Sequence, residues 1–180
     1  ILDVRSKFDF SRSHIPKSLF IGLEGNFAPW AGSVIGDIKT PILLVTDKNK
    51  EKETIKRLAR VGFDNILGYL SDGIESWVKN GREIDSIKNV SADEILSKPL
   101  EIIDVRTPAE YLKKHVKSSI NLPLNNYKKN KLKTLSNNPF YVHCQSGYRS
   151  LIYLSILKKS GIHSGLNVKG GFKSIEKLLD

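Results

Sequence analysis

The segment Val142-His143-Cys144-Gln145-Ser146-Gly147-Tyr148-Arg149-Ser150 runs an apolar strand into the chain's one cysteine, and a helical pattern begins six residues later. A loop that curls from a strand into a helix N-terminus aims successive backbone N–H groups at one point, and the helix dipole adds partial positive charge there. Gly147 permits a tight backbone path that a side chain would obstruct. Cys144, at the first position, is therefore expected over an anion cradle, with its thiolate favoured by the N–H groups, the dipole and Arg149. The chemistry this implies is nucleophilic attack by sulfur. Arg149 is the second candidate catalytic residue, steadying the loop and attracting an anionic substrate. Gln145, Ser146, Gly147, Tyr148 and Ser150 are the candidate substrate-binding residues, as backbone donors and pocket walls.

Elements to hold this loop are legible around it. Leu100–Val105 and Pro139–His143 read as buried strands, and Ser150–Ser160 reads as a helix that stops at Gly161. Ser91 followed by Glu94 predicts a capping box opening a short helix over Ala92–Leu96. Short apolar strands alternating with helical stretches predict an α/β fold with a mostly parallel central sheet flanked by helices.

The pattern occurs twice. Asp3-Val4-Arg5 returns as Asp104-Val105-Arg106, about a hundred residues on, and a histidine follows each Asp at the same distance, His14 and His115. Pro41–Val45 pairs with Pro139–His143, and Asp72-Gly73-Ile74 with Gly170-Gly171-Phe172. At this period the repeat is a duplicated domain rather than a solenoid. The expected domains are 1–84 and 88–180, joined near Gly81–Ile87. The first copy lacks the nucleophile: Thr46 or Asp47 falls at the cysteine position, depending on a one-residue gap, and neither can carry sulfur. It also opens directly on its Asp-Val-Arg strand, without Met at position 1, so the chain is expected to be a piece of a longer protein with its first domain incomplete at the N-terminus.

The 180 residues, 39% hydrophobic and 27% charged, suffice for packed cores. One cysteine excludes an internal disulfide framework and any Cys-based structural zinc site. The net charge of +10 would suit an anionic partner, yet the 29 Lys and Arg are spread along the chain. The densest run, Lys128–Lys133, has one neighbouring aromatic and reads as a solvated surface loop. No nucleic-acid partner, membrane span or export leader is expected, and a cytoplasmic location follows.

Taken together, the Asp-Val-Arg strand, the His14-Ile15-Pro16 segment, the Cys-x-x-Gly-x-Arg loop and the late Gly-Gly-Phe resemble the rhodanese sulfurtransferase superfamily, in two copies over nearly the whole chain. The resemblance implies that Cys144 attacks a sulfane sulfur, holds it as a persulfide and passes it to a thiol, sulfite or cyanide. The loop from Cys144 to Arg149 is six residues long, as in the sulfurtransferases; related phosphatases and arsenate reductases carry seven, which makes a phosphatase or arsenate reductase the weaker reading. A silent copy followed by an active one, with Gly25–Gly32 and Val61–Asn65, is similar to the C-terminal half of sulfide-detoxifying fusions between a metallo-β-lactamase-fold persulfide dioxygenase and rhodanese domains. That implies an N-terminal dioxygenase domain in cis, with non-haem iron confined to it and no cofactor in these residues. The implied partners are thiosulfate, sulfite and persulfides of glutathione or coenzyme A type; homo-oligomerisation stays open. A docking or assembly role within a larger enzyme is the alternative function. Asp104, Arg106, His14, His115 and His143 are read as structural, Phe8 and Phe10 as core, and Trp30 and Trp77 as core or interface packing.

Overall fold

Runs of buried aliphatic residues form the strands and the segments between them coil into helices in both halves of the computed structural model, which describes residues 1–128 and 138–179. The chain divides into two units, Ile1–Ser86 and Ile87–Asp180.

The first unit runs β1 (Leu2–Asp3), α1 (Lys7–Arg12), β2 (Leu19–Phe20), α2 (Phe27–Ile35), β3 (Ile42–Val45), α3 (Glu51–Ala59), β4 (Ile66–Tyr69) and α4 (Gly73–Lys79). Its strands are all parallel, in the order β2-β1-β3-β4. β1 is an interior strand, so Leu2, Asp3 and the following Val4 are all buried. In α3, Glu51 and Glu53 occupy the first turn and Lys56 and Arg57 the last, matching the helix dipole at both ends. An antiparallel bridge between His14 and Asp85 fastens the end of this unit to its body.

The second unit runs β5 (Asn89–Val90), α5 (Ala92–Ser97), β6 (Glu101–Asp104), α6 (Pro108–Lys113), β7 (Ser119–Asn121), β8 (Phe140–His143), α7 (Tyr148–Lys159), β9 (Gly165–Val168) and α8 (Phe172–Ile175). The five strands are parallel, in the order β5-β9-β8-β6-β7. Ser91 N–H donates to Glu94 Oε1 at 3.4 Å at the start of α5, as its sequence predicts. Helix α7 begins two residues before the predicted start, directly behind Gly147, and gives way at Gly161, whose φ is +88°. Every residue from Ser150 to Leu157 is buried, so α7 lies deep against the sheet and the loop before it is held by the core.

The four strands of the first unit, β2-β1-β3-β4, follow the same order as β7-β6-β8-β9 of the second, where β5 is added at the edge. Asp3 pairs with Val45 across β1 and β3, and Asp104 with His143 across β6 and β8. Val45 is thus the counterpart of His143, and Thr46, not Asp47, is the counterpart of Cys144.

One core expectation is corrected. Phe10 is fully buried, but Phe8 is 63% exposed, because on the short helix α1 the two rings lie on opposite faces and only one can reach the sheet. Trp30 and Trp77 are half-buried; Trp77 packs beside Ile15, Val45 and Ile74 and donates its indole N–H to Glu83 O at 2.8 Å. Lys129–Lys133 of the basic run lie outside the described residues. Among the described residues, no helix is long and apolar enough to cross a membrane.

Candidate active site

Cys144 follows the last residue of β8 and is 1% exposed. The chain then turns through Gly147, whose φ of +90° is the left-handed conformation that glycine alone adopts without cost, and α7 starts at Tyr148. This turn brings the Gly147 N–H to 3.1 Å from Cys144 Sγ, as a donor. The N-terminus of a 12-residue helix stands behind it and adds positive potential. Ser150 Oγ lies 3.7 Å from the same sulfur and donates to Asn167 Oδ1 at 2.7 Å. A hydroxyl has one proton, so the shorter bond to Asn167 is the stronger of the two and the donor contact to Cys144 Sγ the weaker. Asn167 Nδ2 donates to Asn89 Oδ1 at 2.7 Å, which fixes the amide's orientation.

The underside of the loop is tied to α8. Cys144 O accepts from Phe172 N–H at 2.6 Å, and Gln145 O from Lys173 N–H at 3.1 Å. This close approach requires Gly171: its φ is +61°, and a Cβ there would stand 2.3 Å from Cys144 O and 2.8 Å from Gln145 C. The Gly-Gly-Phe segment that marks the repeat is the floor on which the cysteine loop rests.

Arg149 is clamped from α6. Its Nη1 and Nη2 donate to Glu110 Oε2 and Oε1, both at 2.6 Å, in a two-pronged ion pair. Glu110 Oε2 also accepts from Thr107 N–H at 3.0 Å and Thr107 Oγ1 at 2.9 Å, closing a capping box at the start of α6. The Arg149 hydrogen bonds, helped by those of Thr107, pull the Glu110 carboxyl down to about 2 against a smaller opposing effect of burial. Arg149 is in turn held above its ordinary value, chiefly by Glu110. Cys144 adds to that effect, through charge and a hydrogen bond, so Arg149 is tied to Glu110 and also reaches the sulfur. Gln145, at the other end, has its Oε1 3.5 Å from Arg106 Nη1. Arg106 forks onto Asp104 (Nη2 to Oδ2, 2.7 Å), donates to Lys114 O at 2.8 Å and lies 3.8 Å over the Phe172 ring.

Cys144, Gln145, Gly147, Arg149 and Ser150 are thus gathered into one bonded assembly, with Ser146 exposed and Tyr148 half-buried at its rim. Glu110, Asn167, Asn89 and Gly171 escaped sequence reasoning as site residues, as did the reach of Arg106 to the loop. The Thr107-Pro108-Ala109-Glu110 box was a readable signal for a placed carboxylate; nothing local indicates that its second oxygen meets Arg149. His143 is fully buried, its ring 6.0 Å from that of Phe172, and burial lowers its pKa against the pull of Asp104, so it is a neutral core ring. His14 and His115 are equivalent to one another: each Nδ1 is 2.8 Å from the carbonyl four residues back, and each ring stacks at 16° on an aromatic, Phe10 or Tyr111. Among the described residues no group of three or more His, Cys, Asp and Glu could hold a metal ion.

In the first unit the scaffold persists and the chemistry changes. Arg5 forks onto Asp3 and donates to Ser13 O at 2.7 Å, as Arg106 does with Asp104 and Lys114. Asn49, three residues past Thr46 as Gly147 is past Cys144, has a φ of +67°. Asparagine is among the few residues that tolerate this conformation, so the turn survives without its glycine. At the cysteine position stands Thr46, 4% exposed.

The model of the rhodanese-like domain family matches residues 1–80 and again 88–178. The uncharacterized YqhL protein of Bacillus subtilis (strain 168) is 37% identical over 73 residues, 41% of this chain and 58% of its own length. YrkF of the same organism is 31% identical over 111 residues, 58% of this chain and 58% of its own length. The chain therefore spans little more than half the length of either relative. A rhodanese-related protein of Thermoplasma volcanium, 26% identical, superposes with a TM-score of 0.46 over 51% of this chain and 92% of its own. The thiosulfate sulfurtransferase of Pseudomonas aeruginosa, 18% identical, gives a TM-score of 0.45 over 99% of this chain and 39% of its own. With a parallel sheet in each half and a family match that covers both, the chain belongs to the rhodanese-like domain family and carries two such domains in tandem.

Proposed function

We propose that the second domain is a sulfurtransferase in which Cys144 carries sulfane sulfur as a persulfide. The observation that supports this best is the Gly147 N–H aimed at Cys144 Sγ from 3.1 Å at the N-terminus of α7, in a loop anchored at both ends. With thiosulfate as donor, the Cys144 thiolate attacks the outer sulfur; the new S–S bond forms as the donor's S–S bond breaks, and sulfite departs with the electron pair. An acceptor thiolate, sulfite or cyanide then attacks the terminal sulfur, and Cys144 leaves as the thiolate. The loop donor and helix dipole stabilise the single anionic sulfur in both resting and loaded forms. Arg149 holds the loop in shape and, through its interaction with Cys144, attracts the anionic donor to the sulfur. The scheme uses no cofactor, and the ligands it needs are small anionic sulfur compounds: thiosulfate, sulfite, and glutathione or coenzyme A persulfides.

The finer reading is that these domains form the C-terminal half of a sulfide-detoxifying fusion whose N-terminal dioxygenase holds the iron, in the cytoplasm. It rests on the order of a silent domain, 1–84, before an active one, 88–180. Docking within such an assembly is the role left for the first domain, since Thr46 cannot carry sulfur.

Intact mass after mixing with thiosulfate or glutathione persulfide tests the proposal. Wild type is expected to gain one sulfur, about 32 Da, and Cys144→Ser none. No gain with either donor, on folded protein with a free thiol, sinks it.

A further inference from the structure

The two sheets differ at one edge. In the second domain β9 is flanked by β5, where Lys88 O and Val90 O accept from Asn167 N–H and Lys169 N–H, both at 2.9 Å. In the first domain, among the described residues, the strand order ends at β4. Tyr69 of β4 is the register match of Asn167. Its neighbour Leu70 donates to Leu44 O at 2.9 Å, and successive N–H groups of a strand point to opposite sides, so the Tyr69 N–H points away from β3 to the open edge.

The sheet face beside that edge is covered in one domain and exposed in the other. In the second, α5 follows β5, and Val90, Ala92 and Ile95 join Ile102, Tyr141 and Val168 in one buried cluster. Tyr141 also donates its hydroxyl to Glu94 O of α5 at 3.1 Å. Register and repeat match Ile1 to Ile102, Leu43 to Tyr141, Leu70 to Val168 and Trp77 to Ile175. Ile102 is 4% and Tyr141 0% exposed, whereas Ile1 is 44% and Leu43 48% exposed. Leu70 and Trp77 are half-buried where Val168 and Ile175 are fully buried. The buried part of the matching cluster shrinks to Ile15, Val45 and Ile74.

We propose that this face and the open edge of β4 hold a strand-and-helix segment that lies directly ahead of Ile1 in the polypeptide, a counterpart of Asn89–Ser97. The second domain argues for that occupant. There the cover is the stretch immediately ahead of the Asp-Val-Arg strand, with three residues between Ser97 and Glu101. In the first domain the strand of the segment runs parallel to β4 and accepts from Tyr69 N–H, and its helix sets apolar side chains on Ile1 and Leu43. Leu43 stands for Tyr141 and Gly68 for Leu166, so the space beneath the helix is larger than under α5. Close packing then requires bulkier apolar residues on that helix than Ala92 and Ile95. The inference does not depend on the sulfur chemistry of Cys144.

Hydrogen exchange on the 180-residue chain and on the natural polypeptide with the residues ahead of Ile1 tests it. In the longer protein the Tyr69 amide should exchange at least about tenfold more slowly, while the Asn167 amide, already paired, is the same in both. Leu43→Ala tests the face by urea denaturation. It should lower the folding equilibrium constant of the first domain about tenfold or more in the longer protein and less than about threefold in the 180-residue chain. Equal Tyr69 exchange in the two proteins, an equal effect of Leu43→Ala in both, or protection that grows with protein concentration, as a second copy on the edge would give, overturns the proposal. So does a natural polypeptide that begins at Ile1.

Discussion

Arg149 and Glu110, 39 residues apart in sequence, meet through two hydrogen bonds of 2.6 Å, so the end of the cysteine loop is fixed by the first turn of α6. The pair sets a pH dependence. The folded-state carboxyl at about 2 lies below its ordinary value of 4.5, so its contribution is complete above that range and is lost as pH falls from 4.5 toward 2. A shift of this size is worth ~3 kcal/mol at most; solvent screening of a side chain one-third exposed leaves about 1–2 kcal/mol. Glu110→Gln is expected to lower the unfolding free energy by that amount at pH 7 and by little at pH 2.5. Urea denaturation at both values checks this; an equal loss at both refutes it.

Gly171→Ala should be far more damaging than a typical glycine substitution. Its Cβ meets backbone atoms, Cys144 O at 2.3 Å, which have no freedom to move without shifting the loop, and its φ of +61° adds strain. The expected loss is about 2–4 kcal/mol, with sulfur loading reduced in the folded fraction. Gly161→Ala, at a φ of +88° with open space around it, is the matched control and should cost about 1 kcal/mol. Similar melting temperatures for the two variants would count against the close approach.

Asn167 bridges Ser150 to Asn89 with two bonds of 2.7 Å. Asn167→Ala strands a buried hydroxyl beside Cys144, for a loss of about 1–3 kcal/mol. It also frees the Ser150 proton to turn toward Sγ, so the rate of thiol alkylation should change in the folded protein. Asn167→Asp, which keeps the acceptor for Ser150, should retain more of the wild-type alkylation rate. Identical rates in all three proteins would exclude a coupling between this chain of bonds and the sulfur.

Placing a cysteine in the first domain should not restore chemistry. Thr46→Cys in a Cys144→Ser background puts sulfur at the matched register, but Glu51 and Asp9 stand where Arg149 and Glu110 anchor the other loop. Negative potential repels a thiosulfate dianion and disfavours a thiolate. No gain of about 32 Da with thiosulfate is expected. Loading at a rate comparable to that of Cys144 would mean that the nucleophile alone decides activity.

Much of the molecule is legible in its sequence. The duplicated Asp-Val-Arg and histidine spacings gave the tandem arrangement, because identical local bonding problems recur at the same offsets: the Asp3–Arg5 and Asp104–Arg106 forks use residues two apart and need no distant partner. Cys144 and Gly147 were readable for the same reason, since a strand, a left-handed glycine and a helix start are all local events. The α/β class followed from apolar runs too short for helices. The face that α1 turns inward was not legible, and Phe8, read as core, lies outside.

Tertiary structure decided everything that depends on contacts across strands. Which residue replaces the cysteine turned on strand register, and the pairing of Asp3 with Val45 selects Thr46 over Asp47. Glu110 reaches Arg149, Gly171 reaches Cys144 O, and Asn89 reaches Asn167 from 78 residues away, because a parallel sheet brings the ends of distant strands to one edge. A cavity in the first domain is of the same kind. Asp47, Glu51, Asp72 and Glu75 are ordinary surface acids along the sequence, and they come to line one cavity with Thr46 only when the end of β3 and the turn into α4 meet.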